Sequence, residues 1–255
     1  MFAAQRLENI KKIMLQQENV NIVTLCNLLN VSDATIRRDL EKLENEGFLF
    51  KTHGGAILSK QGEERKDISQ IPRYVEKDNI ASQCVKLVEE ADNIFIGAGA
   101  TCFMLSQKLK NFPGITVVTN SIGVADELQD HVKKVYLLGG EIYTVSETKY
   151  TLNPYDDDDF KHVFLDKVII SADGVDLQVG LTSDNLRLSN LYKQAIQKAN
   201  YTITLMDNSK FGRISLYAIC PLAEIDCIIT EPNLPDQYNE FFFSNNIQFV
   251  TASPL

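Results

Sequence analysis

The first 58 residues carry their apolar side chains at helical spacing. Leu7, Ile10 and Met14 fall on one helix face, and Leu25, Leu28 and Leu29 on a second. From residue 59 to 78 the pattern gives way to a polar, charged stretch with one proline, SKQGEERKDISQIPRYVEKD. It reads as a linker running into a helix. From about residue 79 the texture alternates. Short runs rich in valine and isoleucine (NIFI, ITVVT, VYLLG, KVIIS, YTITLM and CIIT) are interleaved with helix-like segments, and most are followed by Gly, Asn or Asp. Strands alternating with helices predict a mostly parallel sheet covered on both faces. The expected organisation is a small helical domain over 1–57, a linker over 58–75 and an α/β domain over 76–255.

Within 1–58 the stretch NIVTLCNLLNVSDATIRRDLEKLENEG is the most specific. Asn21 suits the cap of a short helix, and Asn30 suits the left-handed turn that ends it. Ser32 is a good N-cap for the next helix, with Val31 and Ile36 as a hydrophobic staple across it. That helix runs to about Asn45 and stops at Gly47. Two short helices with a tight turn, preceded by a third, are the helix-turn-helix arrangement. At about 100° per residue, Ile36, Leu40 and Leu43 share the core face, while Ala34 and Arg38 point away. Thr35 and Arg37 lie on the flanks, and Glu41 faces outward further along. A small residue and an arginine at the exposed N-terminal end suit entry into a major groove. Arg38 is placed to read a guanine edge, and Ser32, Thr35 and Arg37 to hold phosphates. FLFKTHGGAIL then alternates into Gly54-Gly55 as a hairpin or wing, from which Lys51 and His53 reach the DNA backbone.

Composition supports this division. The chain has 255 residues and is 44% hydrophobic, enough for a substantial core. Its net charge is −9, yet residues 1–58 hold seven basic and seven acidic side chains, so the acidic excess lies beyond them. An acidic protein is a poor non-specific nucleic-acid binder, but a neutral segment with placed arginines remains suited to reading DNA. No apolar run approaches the roughly 20 residues of a membrane helix, and MFAAQRLENIKK lacks the apolar stretch of a secretory signal. Cys26, Cys84, Cys102, Cys220 and Cys227 are scattered without C-x-x-C spacing, as expected of reduced thiols in a cytoplasm. Asp156–Asp159 reads as a solvated helix start rather than a metal site. His53, His131 and His162 are isolated, Lys193 reads as a surface lysine, and neither a metal nor a cofactor is expected.

VSDATIRRDLEKLENEGFLFKTHGGA, residues 31–56, closely resembles the DNA-binding signature of DeoR-type bacterial transcriptional regulators, a winged helix-turn-helix. The pair Lys51-Thr52 departs from it slightly. VTNSIGVADEL, LLGGEIY, DKVIISADGVDLQVGLTS and DNSKFGRISLYAICPLAEIDCIIT resemble the sensor domain of the same family, which is similar to ribose-5-phosphate isomerases. The resemblance implies a phosphorylated sugar or related effector that controls operator affinity, repression as the sign, and a homo-oligomer. The residues are consistent with it. In IFIGAGAT, Gly97 and Gly99 let backbone approach a phosphate, and the amides of the helix at Thr101 face it. Asn120, Ser121, Asp173, Asp176, Asp207, Ser209 and Lys210 fall at strand ends, where open parallel sheets bind ligands.

Two enzymatic alternatives fare worse. An isomerase needs a placed base, and GLTSDNLRLSNLYKQAI has no carboxylate after Asp184. A dinucleotide enzyme needs glycine at Cys102 and an acidic residue near Asn120. The chain also departs from the family pattern. Gly97 and Ala100 replace an aspartate and a hydroxyl, IYTVSETKYTLNPY lacks an arginine and has Asn153 for a glycine, and Arg187 stands where acidic residues are usual. A sensor that binds no ligand and serves assembly alone is the remaining alternative.

Overall fold

A computed structural model describes residues 3–17, 19–45, 48–52, 54–58, 71–145, 148–155 and 159–252. The chain divides into two compact units, Met1–Pro72 and Arg73–Leu255.

The first unit contains α1 (Ala3–Gln16), β1 (Asn19–Asn21), α2 (Ile22–Leu29), α3 (Asp33–Asn45), β2 (Leu49–Lys51) and β3 (Gly55–Leu58). Leu7, Ile10 and Met14 of α1 meet Ile22, Leu25 and Leu29 of α2 and Ile36, Leu40 and Leu43 of α3 in one core. Leu28 is 60% exposed and does not belong to it. Ile22, Leu25 and Leu29 set the buried stripe of α2, and Leu28 falls beside it. The wing is a three-stranded antiparallel sheet, because β1 pairs with β3 outside the β2–β3 hairpin. Gly55 permits this crossing, since a Cβ there would lie 2.2 Å from the Val20 carbonyl oxygen.

One contact in this unit leaves no periodic trace in the sequence. Arg6 of α1 forms a bidentate ion pair with Asp39 of α3, the second bond measuring 3.1 Å, and the two side chains are only 12% and 10% exposed. Removing one partner strands a charge in a small core. Asp39→Ala is therefore expected to destabilise this unit by about 2–3 kcal/mol. The double variant Arg6→Met, Asp39→Leu is expected to recover most of that loss in thermal melts. A recovery no better than the single variant would show that the pair is not the cause.

The second unit is built on a seven-stranded sheet of order β15-β14-β12-β9-β4-β5-β6 in which every pairing is parallel. The strands are β4 (Asn93–Ile96), β5 (Thr116–Thr119), β6 (Lys134–Leu137), β9 (Leu165–Ile170), β12 (Ala199–Leu205), β14 (Cys227–Thr230) and β15 (Gln248–Thr251). Six are the apolar runs of the sequence; QFVT of β15 is the seventh. The helices are α4 (Tyr74–Cys84), α5 (Ala100–Lys108), α6 (Ile122–Leu128), α7 (Leu186–Gln197) and α8 (Asp236–Ser244). Two small antiparallel sheets are added: the hairpin of β7 (Glu141–Val145) and β8 (Thr148–Leu152), and the order β10-β11-β13 from Gly174–Asp176, Gly180–Ser183 and Tyr217–Cys220. Phe95 at the sheet centre packs edge-on against Phe160 and Tyr192, with centroids 5.3 and 6.1 Å away.

Asp156–Asp158 lie outside the described residues. Asp159 starts no helix; it sits in a turn and accepts from Asn153 Nδ2 at 3.1 Å. All five cysteines are free thiols, and burial pushes Cys102 and Cys220 up to about 12, so both stay protonated. Among the described residues no group of three or more His, Cys, Asp or Glu could hold a metal, and no helix is long and apolar enough to cross a membrane.

Candidate nucleic-acid interface and effector site

In the first unit the turn between α2 and α3 follows from its asparagines. Asn21 caps α2, its side chain accepting from the Thr24 amide at 2.7 Å. Asn30 takes φ 52°, the left-handed conformation that ends the helix, and its amide returns to the Cys26 carbonyl. Val31 is half-buried against the core and Ile36 is buried, as a staple requires. The Ser32 carbonyl accepts from the Ile36 amide at 3.1 Å, but its hydroxyl meets the Thr35 hydroxyl at 2.9 Å rather than capping an amide.

The outer surface of α3 is as the helical spacing implies. Ser32, Ala34, Arg37, Arg38 and Glu41 are exposed and Thr35 is half-exposed. Arg37 pairs with Asp33 one turn earlier, along the flank of the helix. Arg38 has no ion-pair or hydrogen-bond partner among the described residues, which leaves its fork available to a base edge. Glu44 joins the helix to the wing, taking the Lys51 amide at 2.8 Å and the Lys51 ammonium at 3.4 Å. His53 lies outside the described residues.

In the second unit, β12, β9, β4 and β5 are neighbours and parallel, so the segments that follow them share one rim of the sheet. The loop after β4 is fixed by α7. Tyr192, fully buried, accepts from the Ala98 amide at 3.0 Å and donates to the Ala98 carbonyl at 3.2 Å. Burial pushes the Tyr192 hydroxyl well above its usual range, so it keeps the proton that this double role needs. A Cβ at Gly97 would lie 2.7 Å from that hydroxyl. The tyrosine therefore fills the space that a side chain at position 97 would need. Gly99 adopts φ 126° with open space where a Cβ would stand, and it begins α5 without a side-chain cap. The amides at Ala100 and the buried Thr101 thus start a helix behind an unobstructed glycine.

After β5, Ser121 caps α6 by accepting from the Val124 amide at 3.3 Å. Asn120 is fully buried. Its Nδ2 reaches the Thr151 carbonyl at 3.3 Å, while its Oδ1 has no partner among the described residues. After β9, Asp173 accepts from the Ser183 hydroxyl and the Asp184 amide, each at 3.0 Å. Asp176 belongs to β10, in the small antiparallel sheet, and its carboxylate is taken by the Gln178 and Val179 amides of its own turn.

After β12, Asp207 is buried and binds the amide and hydroxyl of Ser209. Arg73 approaches Asp207 at 3.5 Å and pairs with Glu231 at 2.6 Å. Two basic residues absent from the sequence reading therefore stand beside Lys210. One is Arg73. The other is Lys77, lowered by burial and by the nearby charges of Lys210 and Arg73 against the pull of Asp207. Their sequence signal was weak, because PRYVEK reads as the polar end of a linker.

Comparison with known proteins agrees with this architecture. Residues 6–62 match the DeoR-like helix-turn-helix domain, and residues 73–232 match the DeoR C-terminal sensor domain. The HTH-type transcriptional repressor GlcR of Bacillus subtilis is 33% identical over 93% of this chain and 91% of that protein. A lactose phosphotransferase system repressor of Staphylococcus epidermidis is 31% identical over 89% of this chain and 92% of its own length. Ribose 5-phosphate isomerase from Plasmodium falciparum shows a partial structural likeness, with TM-score 0.39 and 18% identity over 53% of this chain and 52% of that one. The full-length relatives are transcriptional regulators rather than enzymes, and both halves of the chain match one family. The chain belongs to the DeoR family of helix-turn-helix transcriptional regulators.

Proposed function

We propose that this regulator represses genes of sugar or related carbon metabolism, and that a phosphorylated sugar bound at the sheet rim sets its affinity for the operator. Residues 1–57 read DNA through Arg38, with Ser32, Ala34, Thr35, Arg37, Lys51 and His53 against the groove and backbone. Residues 76–255 bind the effector and associate with further copies of the chain, so that paired helices meet repeated half-sites. The relatives named as repressors, one of them of a lactose phosphotransferase system, support the sign and the metabolic setting.

The observation that carries the effector reading is the combination at the rim. α5 follows Gly99 with no side-chain cap, and the buried Asn120 Oδ1 has no partner among the described residues. Uncapped amides at a helix start favour a phosphate. A buried acceptor without a partner costs about 1–3 kcal/mol, which a ligand hydroxyl would offset. Thr101, Ser121, Asp173, Asp207, Ser209 and Lys210 complete the proposed lining, with Gly97 shaping the loop. Asp176 is the weakest member, since its own turn engages it.

The test is thermal unfolding of the full chain with a panel of pentose and hexose phosphates, each repeated with the unphosphorylated sugar. A ligand present at about 100 times its Kd is expected to stabilise the native state by about 2.7 kcal/mol. The same ligand is expected to change operator affinity in a mobility-shift assay. No stabilisation across the panel would favour a sensor domain that serves assembly alone.

A further inference from the structure

Beside the rim lies a charged cluster that the effector reading does not use. Strand alternation places Glu141 and Tyr143 on the same face of β7. Opposite them, α7 begins with Asn185 as cap and Arg187 as its second residue, and no acidic residue occupies its first turn. A helix start favours anions and disfavours cations, so Arg187 sits against the local field. Its Nη1 donates to Glu141 Oε2 at 3.0 Å and to the Tyr143 hydroxyl at 2.7 Å, and that hydroxyl donates to the same Glu141 oxygen at 2.8 Å. One carboxylate oxygen is thus held by a guanidinium and a phenol.

Two features make this carboxylate replaceable. The pair is exposed to water, which screens it and leaves it little part in stability. Only one guanidinium nitrogen is engaged among the described residues, so the planar fork of Arg187 remains open to a bidentate acid. The cluster also adjoins the rim. Tyr143 stacks on the buried Tyr150 with centroids 5.8 Å apart, and Tyr150 bridges to Ser121 and feels the charge of Asp173. Along α7, Arg187 precedes the loop-holding Tyr192 by five residues, about 7.5 Å of helix rise. That rise is within the length of a small metabolite.

We propose that Arg187 and Tyr143 form an acid-reading subsite of the effector site, occupied by the protein's own Glu141, and that the cognate effector carries a second acidic group which takes the place of that carboxylate. The proposal rests on the effector reading above and narrows its ligand class to phosphosugars with two acidic groups. Exchange of Glu141 for the ligand breaks the Arg187–Glu141 link between α7 and β7.

The experiment compares Kd values by titration calorimetry on the full chain for two matched pairs. They are fructose 6-phosphate against fructose 1,6-bisphosphate, and glucose 6-phosphate against 6-phosphogluconate. The wild type is expected to prefer the doubly acidic member of at least one pair by about tenfold. Arg187→Met is expected to abolish that preference while leaving the monophosphate affinity and the melting temperature unchanged. Glu141→Gln, which weakens the competing anion, is expected to tighten the doubly acidic ligand severalfold. Equal affinity within both pairs, an Arg187→Met variant that keeps the preference, or weaker binding by Glu141→Gln overturns the proposal while the effector reading stands. Failure of all four compounds to bind removes the subsite, and failure across the wider sugar-phosphate panel removes the effector reading itself.

Discussion

Arg38→Ala is expected to abolish recognition of the operator while leaving the helix-turn-helix unit folded. The side chain is exposed and makes no ion pair or hydrogen bond among the described residues, so its loss removes none of those bonds. Its helix is held from the opposite face by Ile36, Leu40 and Leu43, all buried. A bidentate arginine–guanine contact contributes about 1–3 kcal/mol of discrimination. Two such helices on a repeated site would lose about 2–6 kcal/mol, at least about thirtyfold in Kd. Arg37 provides the contrast. It lies on the flank beside Asp33, so Arg37→Ala should weaken all duplexes alike and lower the salt dependence by about one phosphate contact. The measurement begins with duplexes that the wild type selects from a random pool. Binding of those duplexes and of scrambled ones is then compared at several salt concentrations. An Arg38→Ala variant with unchanged sequence preference would assign base reading to another residue.

What the sequence disclosed and what it concealed divide along physical lines. Features set by neighbours in the chain were legible. Asn21, Asn30 and Val31 fix the helix-turn-helix locally, and the Val/Ile runs mark six of the seven parallel strands because both faces of such strands are buried. QFVT of β15 and the three residues of β1 are too short and too mixed to stand out. Leu28 shows the limit of spacing alone, since a position at the flank of a helical stripe satisfies the pattern and still faces water. Contacts between distant segments were invisible. Arg6 meets Asp39 across 33 residues, Tyr192 meets Ala98 across 94, and Arg73 meets Glu231 across 158. Each needs the fold before the partners can be named. The strand-end reading rested on topology, because parallel strands fix which segments follow β4, β5, β9 and β12, whereas Asp176 falls within β10.

The same distant contact leaves no room for a side chain at position 97, and it supports the second large prediction. Gly97 is buried, and the Tyr192 hydroxyl would lie 2.7 Å and its Cζ 2.9 Å from an added Cβ. A methyl group cannot be accommodated by turning a loose side chain, because Tyr192 is clamped by Ala98 at both its amide and its carbonyl. Gly97→Ala is expected to cost about 1–3 kcal/mol by overpacking. Gly97→Asp adds a buried carboxylate and is expected to cost about 3–5 kcal/mol or to raise the pKa of that carboxylate sharply. Tyr192→Phe keeps the ring, and hence most of the clash, but leaves the Ala98 amide without its acceptor, at about 1–3 kcal/mol. Tyr192→Leu removes ring and hydroxyl together, so it should be harmful alone yet should relieve Gly97→Ala. The double variant Gly97→Ala, Tyr192→Leu is therefore expected to lose less than the sum of its parts, by about 0.5–3 kcal/mol of coupling. Urea unfolding of the four proteins measures that cycle, and simple additivity would refute the steric account. The loop's function gives an independent readout. If Tyr192 holds the amides of α5 toward a phosphate, Tyr192→Phe should weaken sugar-phosphate binding more than its loss of global stability requires, at temperatures well below the melting transition.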